Sequence, residues 1–422
     1  MTSAREVVVT GMGIVSPIGT GCETFWSSLM EGRNGIGPTT RFDGGTVPCP
    51  IAGEVRDYDA KQHVRPRKNI KVMNRDIQLA VGAADMACKD ARFDVSPVNP
   101  ERLGVSFGAD LMSCELEEMV DAYRGCIVDG KFDFARWGQE AMSDLFPLWM
   151  LKYLPNMPGC HIAISHDARG PNNSITLAEV SGLTAVGEAM RVIQRGQADA
   201  IIAGGTSSRI HPTFWVRREL YELSHRLDNP TAACRPFDAD RDGMVLGEGA
   251  ASFVLEERQH AVNRGAPILA RILGHASTFE PQPNGAAPHG TSIRRAIRGA
   301  LSEAGLNPSD LGHVNAHGAS TPVDDQLEAQ AIHDVLDGVP VTAPKSFFGN
   351  LGAGTGAVEM AVSVLACQKG LVPATLNYQR PDPNCPVNVI RGEPLKQKRP
   401  TALILNHVRN GRATALVLAA AE

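Results

Sequence analysis

Short β-rich runs that stop at glycine, each followed further on by a helix-forming stretch, recur along the 422-residue chain and restrict it to an alternating α/β architecture. Glu6-Val7-Val8-Val9-Thr10-Gly11-Met12-Gly13 is the first such run, Arg102–Gly108 the second, and Ala200-Ile201-Ile202-Ala203-Gly204-Gly205 the third. Ile268–Ile272 and His313–Gly318 repeat the pattern in the second half. Between them, Asn74–Lys89 places Ile77, Ala80, Val81, Ala84 and Ala87 at helical spacing, giving an amphipathic helix with a small-residue face. Gly182–Gly196 does the same with Leu183, Val186, Met190 and Ile193, and helices are also expected over Thr291–Ala304 and Gly356–Gly370. The two glycine-flanked helices close alike, on Gln194-Arg195-Gly196 and on Gln368-Lys369-Gly370. This points to an internal duplication with its junction in the charged segment Glu256–Gly265. A polar and aromatic stretch over about residues 109–158 interrupts the first half and reads as a cap or partner-facing layer.

Composition narrows the class. With 43% hydrophobic and 21% charged residues and a formal net charge of -5, the chain is neither disordered nor a basic nucleic-acid binder. The nine cysteines form no C-x-x-C pair and have no histidine at zinc-ligand spacing, so reduced structural thiols and no metal site are expected. The first residues run straight into the Val7–Val9 strand, leaving no room for a secretory leader. The longest apolar run, Ala415–Ala421, is far short of the roughly 20 residues a spanning helix needs, so a cytoplasmic location is expected.

Longer motifs make the reading specific. The sequence resembles the β-ketoacyl-acyl-carrier-protein synthases, condensing enzymes of the thiolase fold, at five places in family order. These are Gly11–Gly19; Arg235-Pro236-Phe237-Asp238-Ala239-Asp240-Arg241-Asp242-Gly243 with Leu246-Gly247-Glu248-Gly249; Asn315–Pro322 with Asp325 and Glu328; Pro344–Gly349; and Gly356-Ala357-Val358-Glu359. The resemblance implies a duplicated thiolase fold of αβαβα layers with two five-stranded mixed sheets. Residues 1–256 would form the N-terminal half, with the cap at 109–158, and residues 257–422 the C-terminal half.

The family's chemistry implies a cysteine at a helix N-terminus to carry the acyl chain, its thiolate favoured by the helix dipole. Two histidines stabilise the malonyl enolate, a lysine orders the site, and backbone N–H groups of a glycine-rich C-terminal loop complete an oxyanion hole. Aligned on Ser181-Gly182, the cysteine position is Glu179. The first histidine is His317 and the lysine Lys345, but the second histidine position holds Asn350. The oxyanion and gate loop reads Val408-Arg409-Asn410-Gly411, with Arg409 where the family has a gating phenylalanine. No cysteine lies between Cys160 and Cys234, so a small shift of alignment restores no nucleophile; Cys160 itself reads as a buried structural thiol.

A carboxylate cannot replace that cysteine, because attack on a thioester would give a mixed anhydride that water destroys. The structural reading of Glu179 is a carboxylate paired with Lys345 or His317, and that of Arg409 a salt bridge to Glu179. The sharper alternative is a protonated Glu179 imitating an acylated cysteine, as glutamine does in decarboxylating relatives. Glu179, His317, Lys345, Asn350 and Arg409 are expected in one pocket where the halves meet. Lys68 and Lys71, in a basic cluster with Arg65, Arg67 and Arg75, fall on basic positions of the segment that docks acyl carrier protein in relatives. The resemblance implies no cofactor; acyl chains arrive on the phosphopantetheine of acyl carrier protein. Two functions therefore compete. One is a chain-length-factor-like partner of a cysteine-bearing ketosynthase in fatty-acid or polyketide biosynthesis, as heterodimer or homodimer. The other is an enzyme that decarboxylates or otherwise processes malonyl or acyl thioesters with Glu179, His317 and Lys345.

Overall fold

The structure, a computed structural model, describes residues 5–93, 98–217, 222–285 and 287–421. Met1–Ala4, the stretch read as too short for a leader, lie outside the described residues. Among the described residues no helix is long and apolar enough to cross a membrane.

The first strand, β1 (Val7–Ser16), is buried along its whole length, as its β-branched run dictates. Helix α1 (Arg75–Asp90) begins at Asn74, whose side chain caps the Ile77 N–H at 3.1 Å, and packs its alanine face on β1. The approach is so close that a Cβ on Gly11 would lie 2.2 Å from the Ala87 carbonyl oxygen, and one on Gly13 2.1 Å from that of Ala83. Next come β2 (Leu103–Gly108), α2 (Met157–Ser165), β3 (Asn172–Ile175), α3 (Ser181–Gln194), β4 (Ala200–Ser208) and β5 (Leu246–Glu257).

The second half repeats the series with β6 (Ala270–Phe279), α4 (Thr291–Ala304), β7 (His313–Asn315), α5 (Pro322–Leu336), β8 (Pro340–Thr342), α6 (Thr355–Lys369), the edge strand β9 (Asn388–Val389), β10 (Thr401–Val408) and β11 (Arg412–Ala420). The likeness extends to irregularities. β1 slips register between Val9 and Gly11, and β6 between Ile272 and Gly274. A Cβ on Gly274 would meet the Ala300 carbonyl of α4 at 2.3 Å, the counterpart of Gly11 against α1.

Each half is a mixed sheet. Strands β3-β2-β4-β5-β1 and β6-β11-β10-β7-β8 run parallel at their outer ends and antiparallel toward β1 and β6. One feature departs from the expectation of two separate sheets. Val7–Val9 pair antiparallel with Ala270–Ile272, so hydrogen bonding runs without a break from one sheet into the other. The start of β1 lies between β5 and β6 and satisfies its backbone groups on both sides. The helix expectations hold to within a residue or two at their ends, whereas β6 starts later and runs longer than Ile268–Ile272.

Helices α3 and α6 lie between the sheets in the largest apolar cluster. Their N-terminal ends meet: a Cβ on Gly182 would stand 2.6 Å from the Ala353 carbonyl oxygen, and one on Gly356 3.0 Å from Leu183 Cβ. Between Gly108 and Met157 the chain makes only short helical turns and a two-residue hairpin, Ile127–Val128 with Lys131–Phe132. Leu111, Phe132, Phe134, Met142, Phe146 and Met150 are exposed there.

The glycine contacts set a stability test. Gly182→Ala is expected to cost about 1–3 kcal/mol by overpacking, read as a lower urea midpoint. Gly138→Ala, whose Cβ would meet nothing within 4 Å, should change stability by less than about 0.5 kcal/mol. Equal midpoints for the two variants would contradict the packing described.

Candidate functional site

Glu179 occupies a short helical turn, Ala178–Val180, immediately before α3. Ala178 takes φ +55°, a left-handed value uncommon for a residue with a Cβ. The turn is braced by the Ser181 hydroxyl, which accepts from the Leu177 N–H at 2.7 Å and donates to the Ala178 carbonyl at 2.6 Å. The Glu179 side chain is buried and has a cationic partner, as expected, but the partner is Arg209, which follows β4. Arg209 Nη1 lies 2.5 Å from Glu179 Oε1, and the same guanidinium reaches Asp110 Oδ2 through Nη2 at 2.6 Å and Nε at 3.1 Å. Burial alone would raise the Glu179 carboxyl, but the Arg209 charge and hydrogen bond outweigh it and hold it below the ordinary carboxylate range. The pairings of Glu179 with Lys345, His317 or Arg409 are therefore corrected.

Lys345 is wholly buried at the start of a short helix, Lys345–Phe348, and pairs instead with Glu359 Oε1 at 2.6 Å. Its ammonium also donates to the His317 carbonyl and, at 3.0 Å, to His317 Nδ1. With Nδ1 accepting, neutral His317 carries its proton on Nε2. Burial, and then the charge of Lys345, hold His317 well below the ordinary imidazole range. The loop carrying His317 hangs on Glu328 of α5, which accepts the backbone N–H groups of His317 at 2.6 Å and Gly318 at 2.7 Å.

Asn350 uses both ends of its amide within the protein. Its oxygen accepts from the Gly352 N–H at 3.0 Å, and its nitrogen donates to Glu179 Oε1 at 3.3 Å. Arg409 pairs with Asp324, Nη2 to Oδ2 at 2.9 Å, and with Glu222, Nη1 to Oε1 at 2.8 Å. Asn410 is exposed, and the Gly411 N–H is taken by the Val408 carbonyl at 3.0 Å within the β10–β11 turn. Gly411 has φ +90°, and a Cβ there would strike the Glu280 carbonyl at 2.2 Å.

Glu179, His317, Asn350 and Arg409 line one cavity of about 120 Å³, with Asp324 and His407. Lys345 is not on its wall but behind His317. Arg209, Asp110, Asp324 and His407, all in this neighbourhood, escape the sequence reading. His407 lies 4.7 Å from His317 between ring centroids. Burial pulls its imidazole down, but Glu328, 3.6 Å from Nε2, and Asp324 prevail and hold it above the ordinary range. Neighbouring histidines are thus driven in opposite directions.

The chemistry available is correspondingly narrow. The cavity presents an ionised carboxylate already bound to arginine, an amide already bonded at both ends, and a neutral imidazole backed by an ammonium. Among the described residues, no cysteine lines it. Cys160 sits half-buried on α2. Among the described residues no group of three or more histidine, cysteine, aspartate or glutamate side chains is placed to hold a metal ion.

Comparison with known families matches the description "Beta-ketoacyl synthase, N-terminal domain" over residues 4–261 and "Beta-ketoacyl synthase, C-terminal domain" over residues 269–379. The chain belongs to the β-ketoacyl synthase family. This ketosynthase-family chain is 37% identical over 395 residues to a 3-oxoacyl-[acyl-carrier-protein] synthase 2 of Synechocystis sp., covering 92% of each. It is also similar to a chain of AntDE:AntF, a type II PKS acyl-carrier protein in complex with its ketosynthase bound to the hexaketide, with a TM-score of 0.84, 29% identity and all of both chains covered. The ishigamide ketosynthase/chain length factor matches with a TM-score of 0.85 and 28% identity, again over all of both chains. The thiolase-like ketosynthase fold is thereby established.

Of the basic cluster in this ketosynthase-family chain, Arg65, Arg67, Lys68 and Lys71 are exposed, the last three on a short helical segment, Arg67–Val72. Arg75 is not part of that surface; it turns inward to Glu248, Nη2 to Oε1 at 2.8 Å.

Two measurements follow from the ion pairs. Arg209→Met strands the buried Glu179 and the partly exposed Asp110 and should cost about 3–5 kcal/mol, whereas Glu179→Gln/Arg209→Met/Asp110→Asn, with all three charges gone, should recover most of that loss. Glu179 contributes stability that is fully present above the unfolded glutamate pKa of about 4.3 and is lost as pH falls through its lower folded value. The advantage of the wild type over Glu179→Gln in chemical denaturation should shrink from about pH 6 toward about pH 3. An advantage that grows on acidification would contradict the pairing.

Proposed function

We propose that this chain is a non-condensing partner subunit of the chain-length-factor kind, which associates with a cysteine-bearing ketosynthase in fatty-acid or polyketide biosynthesis. The observation that carries this reading is Glu179 at the nucleophile position, ionised and clamped by Arg209. An acyl-enzyme needs a thiolate there, and a carboxylate held by a guanidinium provides neither the nucleophile nor the room. Asn350 adds to the deficit, because its amide donor is already directed at Glu179.

Two surfaces support a partner role. The strand β3 ends the sheet with one side unpaired, and the exposed apolar side chains of the 109–158 segment stand on the same half. An unpaired edge and a broad apolar patch are what a second chain of the same fold would cover. The exposed Lys68 and Lys71, with Arg65 and Arg67, offer a positive surface to an acidic acyl carrier protein.

The competing enzyme reading has less support. An ionised Glu179 repels a malonyl carboxylate, and the imitation of an acylated cysteine needs the protonated form, which Arg209 disfavours.

Incubated alone with an acyl carrier protein carrying a fatty acyl chain, the purified protein should show no acyl adduct by intact-protein mass spectrometry and should elongate nothing with malonyl groups. Co-expressed with a cysteine-bearing homologue, it should purify as a complex. Loss of one oxyanion-type donor costs about 10²–10³ in rate, so Glu179→Cys is expected to recover little while Asn350 and Arg409 remain. A stoichiometric adduct on any residue of the wild type would overturn the partner-subunit reading. Charge reversal of Lys68 and Lys71 to glutamate should weaken carrier-protein binding at least about tenfold at low salt and flatten its salt dependence. Unchanged affinity would remove the patch from the docking surface.

A further inference from the structure

The same triad that disables the nucleophile position also fills the space behind it. Glu179 forms part of the cavity wall. Behind it lies Arg209, whose side chain is 2% exposed, and beyond Arg209 lies Asp110, at 13%. The next residue, Leu111, is 59% exposed on the apolar 109–158 segment. Three charged side chains, linked at 2.5 Å and 2.6 Å, therefore lead from the cavity to the cap surface. The loop of the second half closes the far side. Gly352 has φ +55°, and a Cβ there would lie 2.6 Å from Arg209 Nε and 2.9 Å from Asp110 Oδ2. A hydrocarbon chain could pass only by breaking these ion pairs around the buried guanidinium.

We infer that Arg209, clamped between Glu179 and Asp110, is a specificity-determining residue: an ionic wall that stops an acyl chain at the cavity and denies it a path through this subunit to the cap. The inference rests on the partner-subunit reading for its substrate class, acyl thioesters. It adds that a chain handled by the complex is housed outside this part of the subunit, and it names the residue that enforces this.

The test uses S-dodecanoyl-pantetheine carrying a diazirine at the chain terminus, photolysed with the purified full-length protein and mapped by peptide mass spectrometry. In the wild type, label should be absent from Met112 and Ile210, buried residues two positions after Asp110 and one after Arg209. In Glu179→Gln/Arg209→Leu/Asp110→Asn, with the charges removed together, those positions should gain label by at least about tenfold, the gain expected when two or more methylenes become buried. Glu179→Gln/Arg209→Met provides a second opening should the triple variant not fold, because Asp110 alone retains access to water. Glu179→Gln by itself keeps the Arg209–Asp110 pair and should stay closed. Label at Met112 or Ile210 in the wild type would overturn the wall, as would a folded, charge-free variant that gains none. Neither outcome touches the partner-subunit reading, which is decided by acylation and association; conversely, an acyl adduct on the wild type would sink that reading and leave the wall standing.

Discussion

Arg209 is buried between the carboxylates of Glu179 and the partly exposed Asp110, and this constrains everything around the cavity. A guanidinium out of water must have its charge met, so Glu179 is held ionised and Asp110 stays close. Once Glu179 is committed to Arg209, the Asn350 amide turns toward it, and the amide oxygen takes up the Gly352 N–H. The loop between the Lys345–Phe348 helix and α6 is thereby tied to the turn before α3, one in each half of the molecule. These contacts make the surroundings of Glu179 a cross-brace between the two halves.

The remaining motif residues work in the same manner. Glu328 carries the backbone of His317 and Gly318, and Asp325 accepts the Phe237 N–H at 2.8 Å. Asp238 receives the backbone N–H groups of Gln379 and Arg380, each at 2.7 Å. Glu248 takes Arg75 and the Ser208 hydroxyl, and Glu359 takes Lys345 and the Asn406 amide. These acids set loop geometry through charge-assisted hydrogen bonds. None of these hydrogen bonds involves position 179, so the family scaffold stands intact around Glu179.

How much of this was legible in the sequence follows from how local each cause is. β-branched runs ending in glycine, and alanines at helical spacing, act within a few residues of themselves, so β1, α1, α3 and α6 could be read with errors only at their ends. The place of Glu179 in the turn before α3 was legible too, because Ser181-Gly182 fixes it by adjacency. Partners were not. Arg209 lies 30 positions from Glu179 and 99 from Asp110, at the end of a strand with no motif around it. Arg409 looked the natural partner for Glu179, yet Asp324 and Glu222 claim it. His407 lies near the end of the apolar strand β10 and has meaning only beside His317. The link between β1 and β6 depends on how two distant segments lie edge to edge, which periodicity does not encode.

The ionisation of Glu179 is where the physical and functional readings meet. Isotope-edited infrared difference spectra of 13C-glutamate-labelled wild type against Glu179→Gln, recorded near neutral pH, read that state at the residue itself. Loss of an ionised carboxylate band with no protonated carbonyl band is the result required by a carboxylate held by Arg209 below its ordinary range. A protonated carbonyl band assigned to Glu179 would contradict it, because Glu179 would then be a neutral hydrogen-bonding group at the nucleophile position, as the thioester-processing alternative demands.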